Sequence, residues 1–281
     1  MNEPKLSFVG IGPQRTASTW LYEALLGHPA VCFPKDVKET MFFDLRFDKG
    51  MPWYWSHFKH HVSTQKLGEV APTYFDQPEA CARIRAHNPA CQIIINVRNP
   101  VTRAFSLYRH HLAKGRVSGS FRDAVRQMPR IIDAGRFSVH CPCWEQAFGK
   151  DRVLYLCQEE IEKEPATILE SVSAFLGIEA RALPARGKSR VNAGTVPRHP
   201  ALAKMAAALV TQLHGLRLHG LVAFGKRLGL QRVYSGGSSD MVVLTPGDYD
   251  AAVADYEADI RYIEQRLGRS FAVWRQFQRG G

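Results

Sequence analysis

The stretch Gly12-Pro13-Gln14-Arg15-Thr16-Ala17-Ser18-Thr19 sets three hydroxyls and a guanidinium between an apolar run and an amphipathic one. Those residue types suit an anion. The first N–H groups of a helix have no intrahelical partner and carry partial positive charge, so a loop entering a helix draws phosphate-like groups. A Walker A loop shares this layout but closes in G-K-[ST]. This loop does not, which disfavours an ordinary nucleotide-hydrolysing or kinase site. Taken alone, the stretch also fits a plain strand–turn–helix with a hydroxyl cap.

A second anion-binding constellation is Arg98-Asn99-Pro100-Val101-Thr102-Arg103-Ala104-Phe105-Ser106. Arg98 closes an apolar strand pattern, and the C-terminal edge of a parallel sheet is where ligands bind. Ser106 falls about two turns into the next helix, on a face shared with Thr102, Arg103 and Arg109. A guanidinium fork with a hydroxyl makes a second anion site; a solvated basic face is the alternative. Two such sites predict a ligand phosphorylated at two places. The third constellation, Gly68-Glu69-Val70-Ala71-Pro72-Thr73-Tyr74-Phe75, ends a short strand-like run on a carboxylate, either a general base or a surface residue.

The elements that must position these groups are legible as alternation. Leu6–Ile11, Cys91–Val97 and Val153–Cys157 read as strands, the second apolar almost throughout as a central parallel strand should be. Helices are expected over Ser18–Leu26, from Pro100 behind an Asn99 cap, over Ala166–Leu176 before Gly177, and over Asp248–Leu267. Strand–helix alternation predicts an α/β fold with a central parallel sheet flanked by helices in three layers. Residues 1–281 read as a single domain, in which 184–245 form a basic loop and helical elaboration. Within it, 201–232 read as a lid over cofactor and acceptor, a membrane-surface helix or a packed helix pair, and Ser235–Asp240 as a loop.

Lysine and arginine number 37 against 26 aspartates and glutamates, a net charge of +11 that favours anionic partners without choosing among them. Ordinary apolar and charged fractions of 45% and 22% exclude a disordered, collagenous or disulfide-framework chain. The six cysteines form no regular framework, and Cys141-x-Cys143 lacks the C-x-x-C spacing of a metal or redox pair. They read as reduced thiols. No run approaches the roughly 18 apolar residues of a membrane span, and no secretory signal is readable, so a cytoplasmic location is expected. His57, His60, His61, His110 and His111 make no metal motif, and no metal is expected. The Trp53–Phe58 run suits either a pocket floor or the core.

Together and in this order, these segments resemble the sulfotransferases that use 3′-phosphoadenosine 5′-phosphosulfate (PAPS), and most of all the sulfotransferase domain of the heparan sulfate N- and 3-O-sulfotransferases and their bacterial relatives. Phe42-Phe43-Asp44, Asp48-Lys49-Gly50, Trp53-Tyr54, Phe175-Leu176-Gly177 and Leu267-Gly268-Arg269 with Trp274 share in the likeness, which runs from about residue 6 to 180 and resumes at the end. The resemblance implies the P-loop NTPase-like sulfotransferase fold, with PAPS as co-substrate and a hydroxyl- or amine-bearing acceptor. It assigns Arg15, Thr16, Ala17, Ser18 and Thr19 to the 5′-phosphosulfate, Arg98 and Ser106 to the 3′-phosphate, and Glu69 to the acceptor's proton. Arg186, Gly187 or Lys188 falls where the family closes a basic loop over the cofactor, with Arg190 and Arg198 as substitutes. No nucleic-acid partner and no membrane span are implied, although peripheral membrane contact stays open.

The sequence departs from the heparan-type pattern in places that matter. Arg15 stands where those enzymes have Lys; it keeps the charge but cannot release a proton. Lys38, in Lys38-Glu39-Thr40-Met41, is the nearest lysine and a candidate second cation. Val70 replaces a Lys after the catalytic Glu, which weakens a heparan-like acceptor. The family's late cysteine pair and membrane anchor are missing. The rival readings are a nucleotide kinase and a non-catalytic nucleotide- or nucleic-acid-binding protein.

Overall fold

A computed structural model describes residues 4–184, 196–197, 235–237 and 243–277. The chain divides into two compact units: Met1–Pro100 with Ala134–Val191 and Ala258–Phe271, and Val101–Asp133 with Asn192–Glu257 and Ala272–Gly281.

The first unit is built on five parallel strands: β1 (Leu6–Ile11), β2 (Val31–Cys32), β3 (Lys66–Val70), β4 (Gln92–Val97) and β5 (Val153–Cys157), in the order β2-β3-β1-β4-β5. The three expected strands are there, β4 starting one residue late. β2 is too short for its pattern to be read, and β3 extends the strand-like run before Glu69. Parallel strands need crossovers, and helices supply them on both faces. Phe8, Val70, Ile94 and Leu156 join one buried cluster with Leu21 and Leu25 of α1 (Ser18–Leu25) and with Leu169, Val172 and Leu176 of the helix Pro165–Leu176. Val9, Ile93 and Ile95, on the alternate positions, are also fully buried. The helix Phe137–Phe148 packs on β4 and β5 and against the helix Pro78–His87. Its Trp144 Nε1–H donates to the Phe75 carbonyl at 3.0 Å. These layers are why β4 is a continuous apolar run. Gly177 closes Pro165–Leu176 in the left-handed conformation, φ 62°.

The second unit packs Val101, Ala104 and Tyr108 of the helix Pro100–Ala113 against Phe121 and Ala124 of Phe121–Gln127 and against Ile131 of Arg130–Asp133. Tyr249, Ala252 and Tyr256 of the last helix, Pro246–Leu267, complete that core. Arg103 does not lie on a solvated face with Ser106. It is fully buried, and its Nη2 donates to the carbonyls of Ile131 (2.6 Å) and Ile132 (3.3 Å) and to the Tyr256 hydroxyl (3.0 Å). The carbonyls ending a short helix take up a cation well, and this one sits there. Ser235–Gly237, expected as loop, pairs antiparallel with Val196–Pro197. So short a ladder leaves no apolar alternation to read. Arg186, Gly187, Lys188, Arg190, Arg198 and residues 201–232 lie outside the described residues.

Candidate active site

The loop after β1 is shaped by its backbone. Gly12 has φ +127°, and a Cβ there would lie 2.5 Å from the Asn96 carbonyl oxygen on β4, so only glycine lets the loop leave the sheet this close. Arg15 and Ala17, either side of Thr16, have φ 79° and 61°. A left-handed residue with a side chain costs roughly 1–2 kcal/mol, so two of them within one tight loop are strain held at a candidate site. Alternating left-handed residues turn N–H groups inward as an anion-binding nest. Ala17 offers no side-chain cap to α1, and Ser18 is that helix's first residue. Thr16 is fully buried, and its Oγ1 donates to the Pro13 carbonyl at 2.7 Å, bracing the turn. Thr19 is half-buried on the first turn of α1. Arg98 lies just past the end of β4, and its Nη1 donates to the Arg15 carbonyl at 3.3 Å. A second cation is thereby tied to the loop.

Lys38 reaches the same loop from another segment. Its Nζ donates to Ser18 Oγ at 3.0 Å and pairs with Glu39 Oε1 at 3.1 Å. Two residues on, the Thr40 N–H and hydroxyl both donate to Glu69 Oε1, at 2.6 and 2.7 Å. The hydroxyls of Tyr54 and Tyr74 donate to Oε2, at 3.1 and 3.2 Å. Lys38-Glu39-Thr40 is thus a strap from the anion loop to the carboxylate. Glu69 is not a surface residue: it is fully buried on β3, in register with Val9 of β1. Burial pushes its carboxyl up to about 7, against the hydrogen bonds from Thr40, Tyr54 and Tyr74 that favour the ionised form. Burial and the Glu69 charge hold both tyrosines well above their ordinary range.

Sequence reasoning found Lys38 and Glu69 but assigned no part to Thr40 or Tyr54. Thr40 touches a residue 29 positions away, and no local period encodes such a contact. Ser106 is half-buried on Pro100–Ala113 and falls in the second unit, whereas Arg98 falls in the first. Half of the Trp53–Phe58 run is core: Tyr54, His57 and Phe58 are buried, and Tyr54 stacks on Phe42 with ring centres 4.8 Å apart. His57 and His61 bond to nearby carbonyls through Nδ1, and His60 Nε2 lies 3.4 Å from Cys32 Sγ. Among the described residues no group of three or more His, Cys, Asp and Glu is placed to hold a metal ion, and no helix is long and apolar enough to cross a membrane. The cysteines, Cys141 and Cys143 included, are free thiols.

A parallel sheet whose first loop holds two left-handed residues, with Arg98 and Lys38 bonded to that loop and a buried acid on the adjacent strand, suits group transfer from an anionic donor. The sulfotransferase domain family matches residues 8–192, and the chain belongs to that family, whose donor is PAPS. Over 193 residues it is 31% identical to a bifunctional heparan sulfate N-deacetylase/N-sulfotransferase 1 of Caenorhabditis briggsae, a match covering 60% of this chain and 22% of that protein. Over 192 residues it is 32% identical to the human bifunctional heparan sulfate N-deacetylase/N-sulfotransferase 2, covering 61% and 22%. The chain therefore spans about a fifth of the length of these relatives. A sulfotransferase from Alicyclobacillus acidocaldarius shares the fold, with TM-score 0.68, 19% identity and coverage of 97% of this chain and 100% of that one. So does the sulfotransferase domain from the curacin biosynthetic pathway, with TM-score 0.50, 16% identity and coverage of 64% and 76%.

Proposed function

We propose that this chain moves the sulfuryl group of PAPS to a hydroxyl or amine of an acceptor, with Glu69 as general base. The observation that carries the reading is the strap, in which Lys38 lies on the loop at Ser18 and Thr40 lies on the Glu69 carboxylate. It ties a cation at the loop and the carboxylate of β3 to one short piece of chain.

Thr16, Ala17, Ser18 and Thr19 hold the 5′-phosphosulfate, and Arg98 binds the 3′-phosphate. Glu69 takes the proton as the acceptor's oxygen or nitrogen bonds to sulfur. The bond from sulfur to the 5′-phosphate oxygen breaks in line, and its electron pair stays on that oxygen. Arg15 and Lys38 face the charge that grows there. Charge stabilised more in the transition state than in the ground state accelerates the step, and contacts of this kind supply several kcal/mol, about 10³-fold or more. Arg15 acts by charge alone; Lys38 supplies a proton as well as a charge. The heparan sulfate named for the relatives is one acceptor to test. Val70, in place of the Lys of the heparan enzymes, points toward another.

Calorimetric titration with adenosine 3′,5′-bisphosphate beside AMP and ATP tests the donor site. Micromolar binding (about −8 kcal/mol) that requires the 3′-phosphate is expected, and equal affinity for all three nucleotides refutes the reading. Transfer from ³⁵S-labelled PAPS to N-desulfated heparan sulfate, glucosamine and a simple phenol then sorts acceptors.

A further inference from the structure

The buried carboxylate has two unlike oxygens. Oε1 receives the Thr40 N–H and hydroxyl, and Thr40 is itself pinned by Arg46 Nη1, which donates to its carbonyl at 2.6 Å. A backbone N–H only donates, so Oε1 has to remain an acceptor in every protonation state. Oε2 faces only hydroxyls among the described residues, and hydroxyls rotate. The Tyr74 hydroxyl is anchored, since the Phe42 N–H donates to it at 3.0 Å. The hydroxyl of Tyr54 bonds to Oε2 alone among the described residues. We propose that Thr40 is a positioning residue that reserves Glu69 Oε1 as a permanent acceptor, leaves Oε2 to take the acceptor's proton, and makes Tyr54 the placeholder the acceptor group displaces.

This deepens the reading of Glu69 as base and rests on it. The acceptor's O–H or N–H bond breaks, its proton passes to Oε2, its electron pair forms the new bond to sulfur, and the bond from sulfur to the 5′-phosphate oxygen breaks with its pair left on that oxygen. The proton on Oε2 then donates to a tyrosine hydroxyl turned to accept it. Among the described residues, the titratable groups facing the carboxylate are Tyr54 and Tyr74. Cys91 acts on Tyr54, Asp44 on Tyr74, and Arg46 through Thr40. None of these is a cation in contact with Glu69, so hydrogen bonds are what favour ionisation against burial, those from Thr40 to Oε1 first and those from Tyr54 and Tyr74 to Oε2 after them.

The experiment is a ¹³C NMR titration of protein labelled at the glutamate side-chain carboxyl, the Glu69 signal being the one lost in Glu69→Gln. Removing a charge-assisted bond in Thr40→Val raises the Glu69 midpoint by about one pH unit. Thr40→Ser keeps the wild-type midpoint. Tyr54→Phe raises it less, by about half a unit, and gives the same comparison if Thr40→Val does not fold. Identical midpoints in wild type, Thr40→Val and Tyr54→Phe overturn the assignment. Sulfuryl transfer from ³⁵S-PAPS surviving in Glu69→Gln removes Glu69 as base, whatever the midpoints, and so separates that failure from this one.

Discussion

Glu69→Gln should make the protein more stable at pH 8, even as it removes the proposed base. An acid raised from 4.5 in the unfolded chain to about 7 in the fold binds its proton more tightly when folded. Stability from this group is therefore highest below pH 4.5, falls as pH rises towards 7, and then levels off. The full difference is ~2.5 pH units at 1.36 kcal/mol each, or about 3 kcal/mol. Glutamine approximates the neutral acid: its oxygen meets the two Thr40 donors and its NH₂ meets the hydroxyls of Tyr54 and Tyr74. Chemical unfolding across pH 4 to 8 is the assay. The variant should gain about 3 kcal/mol over wild type at pH 8 and under about 1 kcal/mol at pH 5. A variant whose difference from wild type is the same at both ends refutes the reasoning, because Glu69 would then titrate alike folded and unfolded.

Other perturbations separate the parts of the site. Arg98→Ala should weaken adenosine 3′,5′-bisphosphate at least tenfold by calorimetry, the loss of a charge-assisted contact; unchanged affinity moves the 3′-phosphate elsewhere. Lys38→Met should lower the single-turnover rate of sulfuryl transfer about 10²–10³-fold while the bisphosphate affinity changes far less. An equal fall in affinity and rate would make Lys38 a plain binding residue. Gly12→Ala forces a Cβ onto the Asn96 backbone at φ +127° and should cost about 3 kcal/mol or abolish nucleotide binding, read by unfolding and calorimetry.

Elements whose local pattern carries their long-range role were readable before the structure. β1 and β4 are apolar through their length because layers cover both faces, and the loop after β1 announced itself by Gly12 and its hydroxyls. Arg103 was misplaced because helical spacing assigns a face but not what folds over it; Arg130–Asp133 and Tyr256 are remote in sequence and enclose it. Likewise Glu69 carried no sign of burial. Its depth comes from Thr40, Tyr54 and Tyr74 arriving from three separate segments. What pattern reasoning misses here is the polar contact between segments, which leaves no periodic trace.

The register of Val9 with Glu69 has a consequence for diversification. Neighbouring strands are held about 4.8 Å apart by their ladder. The distance between the loop after β1 and the Glu69 carboxylate is therefore inherited from the sheet and does not depend on any connecting loop. Segments that shape the acceptor site can lengthen, shorten or change character while the line of reaction stays where it is. Under the proposed reading, acceptor preference is then free to vary through the surface while the line of reaction keeps its place on the sheet.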